Sequence, residues 1–305
     1  MTNSSDPAPQ RRSVSDTVRL MLAPSAAVRL SLASSLSALG SKIQSAFTRQ
    51  LDSGYDPGTS DDRQRERGIV VRNLSVRYGG RYAFEGLTGE LLPGSLTAVI
   101  GPNGAGKSSL LKALAGIVRP SAGEVICAAL EHHRLAYLPQ QDELDREFPI
   151  TVAELVALGA WRDFGSVREP PVHVAGRVLD ALAAVSLAAV ADRQIAELSI
   201  GQFQRALFAR LLLQDADVIL LDEPFASLDE STTADLLQFL RRWQEEGRTV
   251  VVVLHDLDCV RRHFPSTLLL ARAPIAWGET SSCLSTDNLA RAQQAVVGPQ
   301  GSRIG

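Results

Sequence analysis

The sequence predicts an α/β fold whose central sheet carries a phosphate-binding loop. Three observations lead there. Residues Gly101-Pro102-Asn103-Gly104-Ala105-Gly106-Lys107-Ser108 spell G-x-x-x-x-G-K-S. The loop lies between an apolar run, Leu96 to Ile100, and a leucine-bearing run, Ser109 to Leu114. That strand-before, helix-after context is what the motif requires. Two more apolar runs of strand length, Val218–Leu221 and Val250–Leu254, end in polar pairs, Asp222-Glu223 and His255-Asp256. Strands buried on both faces read as continuous apolar runs, and ligands of α/β sheets gather at the strands' carboxyl ends.

Taken in order, residues 1–68 stand apart as an N-terminal extension. The segments 1–12 and 52–68 are polar and rich in Pro, Gly, Ser and Asp, a composition that predicts disorder. Between them Leu32, Leu36, Leu39, Ile43 and Phe47 recur at helical spacing beside Arg29, Lys42 and Arg49. Three readings fit that stretch: an amphipathic helix on an anionic membrane surface, a weakly structured extension, or, ranked below these, an organelle transit peptide. The modest periodicity favours the second.

From Ile69 a strand runs to Tyr78 and turns at Gly79-Gly80; a second strand, Leu87 to Leu92, stops at Pro93-Gly94. These two are expected to form an antiparallel flap with Tyr78 at its tip. Tyr78 is either an ordinary strand tyrosine or a ring that stacks on a base. Leu135–Leu138 reads as a short strand that delivers Gln140 to the sheet's carboxyl edge. Residues from about 142 to 200 read as a helical insert, with Thr151 and Glu154 spaced as a capping box. Ser199 caps a helix to about Gln214. The same geometry, a hydroxyl beside free N–H groups, also suits an anion. A helix bearing Leu236, Leu240 and Trp243 ends at Gly247, and strand Thr249–Leu254 delivers His255. A last strand, Thr267–Ala271, leads through a polar turn to a C-terminal helix near Thr286–Val297.

The chemistry follows from these placements. Glycines let successive backbone N–H groups point inward at an anion, and the following helix adds its positive end. Lys107 reaches for β- and γ-phosphates and Ser108 offers a hydroxyl to Mg²⁺; Ser109 joins them in the phosphate-binding set. Two adjacent carboxylates at the end of a buried strand are costly unless they work. Asp222 is therefore read as the holder of Mg²⁺, directly or through water, and Glu223 as the general base toward the attacking water. His255 is placed to meet the γ-phosphate or to orient that water. His132 and His133 are adjacent and point apart on a strand or loop, so a metal site there is not expected.

Composition sets limits. A net charge of −3 argues against a nucleic-acid binder. Three scattered cysteines, Cys127, Cys259 and Cys283, give neither a disulfide framework nor a zinc knuckle. No run approaches the roughly 18 apolar residues of a membrane span.

Together these residues resemble the ATP-binding subunit of an ABC transporter over about residues 69–285, with six motifs in the family's order and spacing. On that resemblance Tyr78 matches the adenine-stacking aromatic, Gly101–Ser108 the Walker A loop and Gln140 the Q-loop glutamine. Ser199, Gly201 and Gln202 match the signature LSGGQ. Asp222 matches the Walker B aspartate, Glu223 the catalytic glutamate, Asp229 the D-loop aspartate and His255 the switch histidine. Gln140 thereby joins Ser108 and Asp222 as a residue toward Mg²⁺. Ile200 departs from the pattern, since the family carries glycine there; this puts the hydrolysis rate in question more than ATP binding.

The resemblance implies a P-loop NTPase fold of the ABC ATPase type, with a RecA-like core, an antiparallel β flap and a helical insert subdomain. Residues 286–305 are expected to form a C-terminal helix and tail. It implies ATP with Mg²⁺ as cofactors and a homodimer of ATPase subunits, each ATP lying between one subunit's Walker A and the other's signature. Its further partners are an integral membrane permease, on which the insert docks, and an extracytoplasmic metal-binding protein, with no nucleic acid. The expected location is cytoplasmic, on the inner face of the plasma membrane. The segment Phe148–Val156 and the stretches 208–229 and 255–272 are similar to zinc/manganese uptake ATPases, closest to the zinc branch. Manganese or chelated-iron uptake is the alternative, as is a soluble ABC-type ATPase such as one for iron–sulfur assembly.

Overall fold

The computed structural model describes residues 68–131, 134–161 and 172–297. The N-terminal extension, His132, His133 and the tail beyond residue 297 lie outside the described residues.

Strands β1 (Ile69–Tyr78) and β2 (Arg81–Leu91) pair antiparallel around Gly79-Gly80, both in the left-handed region. That is the two-residue hairpin turn which glycine makes easily. β3 (Leu96–Ile100) enters the phosphate loop and α1 (Lys107–Leu114) leaves it. β4 (Ala122–Ile126) then returns to pair with β1, so the flap has three strands in the order β2-β1-β4 where two were expected. β2 also begins well before Leu87, on the far side of the glycine turn.

After the short α2 (Ala128–Glu131), β5 (Leu135–Leu138) lies at the edge of a second sheet. The insert follows as α3 (Val152–Ala157), α4 (Val172–Ala184) and short 3-10 turns. Thr151 and Glu154 form the expected reciprocal cap on α3. The chain re-enters the core by α5 (Ile200–Gln214) and β6 (Val218–Asp222), then α6 (Glu230–Glu245) and β7 (Thr249–Val253). Gly247, at φ 75, closes α6. α7 (Leu257–His263), β8 (Ser266–Leu270), β9 (Pro274–Glu279), α8 (Thr280–Cys283) and α9 (Thr286–Val297) complete the order. The stretch read as a polar turn before the C-terminal helix contains β9, antiparallel to β8, and the short α8.

The large sheet runs β5-β6-β7-β3-β8-β9, parallel throughout except for β9. Every residue of β3, β6 and β7 is buried. Alternate residues feed two cores. Ala98, Ile219, Leu221, Val250 and Val252 pack against the insert helices, α5 and α6. Val99, Val218, Leu220, Val251 and Val253 pack against α1 and the flap. Phe208 of α5 stacks on Trp243 of α6, with centroids 5.8 Å apart. Among the described residues no helix is long and apolar enough to cross a membrane.

Candidate functional site

The carboxyl ends of β3, β5, β6 and β7 converge on one edge of the sheet. There Gly101, Gly104 and Gly106 take φ 153, 76 and 94, which opens the loop between β3 and α1. A Cβ on Gly101 would sit 1.9 Å from the Leu270 carbonyl oxygen, and one on Gly106 would sit 2.5 Å from that of Ala83. Neither position admits a side chain. No side chain caps α1, so its first N–H groups face the loop's hollow without a capping partner. Lys107 is buried and donates to the carbonyls of Gly101 at 2.9 Å and Pro102 at 3.2 Å. Burial lowers its pKa, while the Glu223 and Asp222 carboxylates oppose that shift.

Asp222, the last residue of β6, is 1% exposed, and neither carboxylate oxygen has a hydrogen-bond partner of good geometry. Burial raises its pKa to about 6, against the pull of the nearby Ser108 hydroxyl. A buried carboxylate with so little hydrogen bonding fits a hard cation, and the Ser108 hydroxyl supplies a further oxygen atom beside it. Glu223 follows at φ 51, a left-handed conformation held by its N–H bond to the Val253 carbonyl. One of its oxygens, Oε1, accepts from Gln140 Nε2 at 2.8 Å and meets His255 Nε2 at 2.6 Å. Gln140 Nε2 also reaches Ser108 Oγ at 3.3 Å. Lys107, Ser108, Gln140, Asp222, Glu223 and His255 thus form one group. Tyr78 stands at the flap tip beside the glycine turn, 51% exposed.

A second group forms elsewhere. Ser199 caps α5 by accepting from the Gln202 N–H, while the Gln202 side chain accepts from the Ser199 N–H. The cap uses a lone pair of the hydroxyl and leaves its proton free to donate. Ile200 takes the first helical position with its side chain 42% exposed. Gly201 faces Thr232, whose N–H and hydroxyl both bind Asp229. Asp229 is the N-cap of α6, and the hydroxyls of Ser231 and Thr232 hold its carboxyl well below the usual range. Among the described residues no hydrogen bond or ion pair joins Ser199, Gly201, Gln202 or Asp229 directly to the first group.

Sequence reasoning missed three features beside the site. Tyr137 on β5 has a buried hydroxyl that burial, and then the Asp222 carboxylate, keep protonated. Lys112 of α1 pairs with Glu143 at 2.6 Å. Arg146 reaches back to the residue before Ser199. Tyr137 could have been noticed three residues before Gln140; the other two join residues distant in sequence and leave no local signal.

The sequence model of the ABC transporter family matches residues 84–226. The manganese transport system ATP-binding protein MntB of Listeria monocytogenes is 36% identical over 225 residues, covering 72% of this chain and 94% of that protein. The chain belongs to the ABC transporter ATPases. The zinc transport system ATP-binding protein TroB of Treponema pallidum is 37% identical over 228 residues, covering 73% and 88%. A solved metal-chelate type ABC transporter in an inward-facing conformation aligns with TM-score 0.66 and 30% identity, over 75% of this chain and 88% of that one. An ATP-binding cassette solved in its ADP conformation, 22% identical, shares the fold with TM-score 0.62 over 76% and 98%. This ABC ATPase therefore binds nucleotide and hydrolyses ATP on the fold described above.

Proposed function

We propose that this ABC ATPase powers uptake of a divalent transition-metal ion, zinc in the first place, through a separate membrane permease. The observation that carries the reading is near full-length similarity to the ATP-binding proteins of manganese and zinc transport systems. Two subunits pair head to tail, so that the loop of Lys107 and Ser108 in one faces the Ser199–Gln202 turn and Asp229 of the other. Tyr78 stacks on adenine, and Gly101 to Ser109 hold the phosphates. The protein sits on the cytoplasmic side of the membrane, and an extracytoplasmic binding protein delivers the metal. On this reading the metal crosses through the permease and does not touch this subunit.

Ser108, Asp222 and Gln140 would hold Mg²⁺, which would supply positive charge against the β- and γ-phosphates. Glu223 takes a proton from water as the water oxygen bonds to the γ-phosphorus and the bond to the ADP oxygen breaks. His255 and Gln140 already hold Oε1 of Glu223, which leaves the other oxygen for that water. Lys107 releases the loop carbonyls and turns to the phosphates.

Manganese is the second reading, favoured by the manganese transport relatives. Growth of a strain lacking the gene, in chelator-treated medium with each metal restored singly, decides between them. Rescue by zinc alone supports the first reading and rescue by manganese alone the second. Growth indifferent to both metals, with a Lys107→Ala copy complementing as well as the wild type, would sink metal import.

A further inference from the structure

The segment between β5 and the insert touches the first group of site residues and the residues that flank the second. Gln140 opens it and binds Ser108 and Glu223. Gln141 next to it donates to Gln204 Oε1 at 2.9 Å, and Gln204 of α5 is 1% exposed. Glu143 pairs with Lys112 of α1. Arg146 then donates through Nη2 to the Leu198 carbonyl, and its guanidinium lies 5.1 Å from the centre of the Phe203 ring.

Those two partners are special positions. Ser199 is the N-cap of α5, so Leu198 precedes the cap and Phe203 is the fourth helical residue. An apolar pair at these places clamps the entry of the chain into a helix. Arg146 grips both members. Its bond fixes the peptide plane between Leu198 and Ser199, and with it the direction of the Ser199 side chain. Its contact with the ring fixes the first turn of the helix. A charge-assisted bond that is partly shielded from water is among the stronger single tethers a loop can have.

We propose that Arg146 is a positioning residue for the Ser199–Gln202 turn. It transmits the setting of the Gln140 segment to the turn that meets the second nucleotide's γ-phosphate. This rests on the reading above that the Ser199 turn takes part in hydrolysis, and it adds the residue that aims it.

The test uses the full-length chain and four variants: Arg146→Met, Arg146→Lys, Ser199→Ala and the double Arg146→Met/Ser199→Ala. Turnover, KM, binding of a fluorescent ATP analogue and thermal melting are measured for each. Arg146→Met should lower kcat about tenfold while KM and analogue affinity stay within twofold. Arg146→Lys should recover part of the loss, because an ammonium still donates to the Leu198 carbonyl. The double variant should be no slower than Ser199→Ala alone, since both changes act on one turn. Wild-type turnover in Arg146→Met beside a slow Ser199→Ala would overturn the role of Arg146 and spare the site reading. Wild-type turnover in Ser199→Ala would instead sink the reading of the second group, and this proposal with it. Multiplying losses in the double variant, or a loss in Arg146→Met matched by equal losses of analogue binding, would make Arg146 a general structural residue. Should Arg146→Met fail to fold, Arg146→Lys and Arg146→Gln carry the same comparisons, with the loss expected in Gln.

Discussion

Oε1 of Glu223 is shared between Gln140 and His255, at 2.8 and 2.6 Å, on a backbone at φ 51. A non-glycine residue in that region is held at a cost of about 1–3 kcal/mol by its surroundings, and such residues cluster at working sites. Here the strand-to-strand bond from Glu223 N–H to Val253 does the holding. Replacing Glu223 by Gln keeps the shape and removes the proposed base. Turnover should fall by two to three orders of magnitude, roughly the share of one general base, while ATP binding persists and ATP-bound dimers accumulate in gel filtration. Turnover within a few-fold of the wild type would remove Glu223 from that role. Ile200 shows a different kind of residue effect. Its backbone starts an ordinary helix and its side chain points partly to solvent, so nothing within the subunit opposes it. In the proposed head-to-tail pair, an effect of Ile200 on hydrolysis would arise where the second subunit approaches.

The helices and strands differ in how plainly the sequence announces them. β3, β6 and β7 are buried on both faces, which is why β6 and β7 each show four consecutive apolar residues and β3 is apolar at every position but Thr97. Their polar ends, Gly101, Asp222-Glu223 and His255, were legible for the same reason. β4 and β9 lie at sheet edges. Ala122, Gly123 and Glu124 of β4 are exposed, and β9 opens on Pro274 with its residues only half-buried, so neither leaves a run. In α7 only Val260 is buried, too little to show a period. Side-chain ties such as Arg146 to Leu198 depend on how α5 meets the insert, which no local pattern records. That junction is tight. A Cβ on Gly159, in the turn after α3, would lie 2.2 Å from the Arg210 carbonyl oxygen and 2.8 Å from Leu213 Cβ on α5. Gly159→Ala should therefore force the two apart at a cost of about 2 kcal/mol. The melting temperature should drop by roughly 4–8 °C, read by calorimetry, with nucleotide affinity kept because the phosphate loop lies elsewhere. An unchanged melting temperature would show that the junction yields freely.

At the scale of the whole molecule, the phosphate loop depends on strands that come much later in the chain. β3 is flanked by β7 and β8, with Leu96 beside Val250 and Thr97 beside Ser266. Even the Gly101 turn leans on the Leu270 carbonyl. A chain cut after Gly247 keeps all of Gly101–Ser108 and should still fail to bind ATP, as measured with a fluorescent analogue; binding at wild-type affinity would show that the loop stands on its own. The parallel order also governs how the protein is born. The ribosome releases the loop motif early, but its neighbours on either side emerge only after the insert and α6. At roughly 5–20 residues per second the wait is on the order of ten seconds. Throughout that wait β3 is an apolar strand with two unpaired edges, the kind of segment that invites association with other chains. ATP cannot shorten the exposure, because its cradle does not yet exist. Nascent chains of this protein are therefore the form in which it most needs a chaperone, and slow synthesis through residues 100–250 would lengthen that need rather than relieve it.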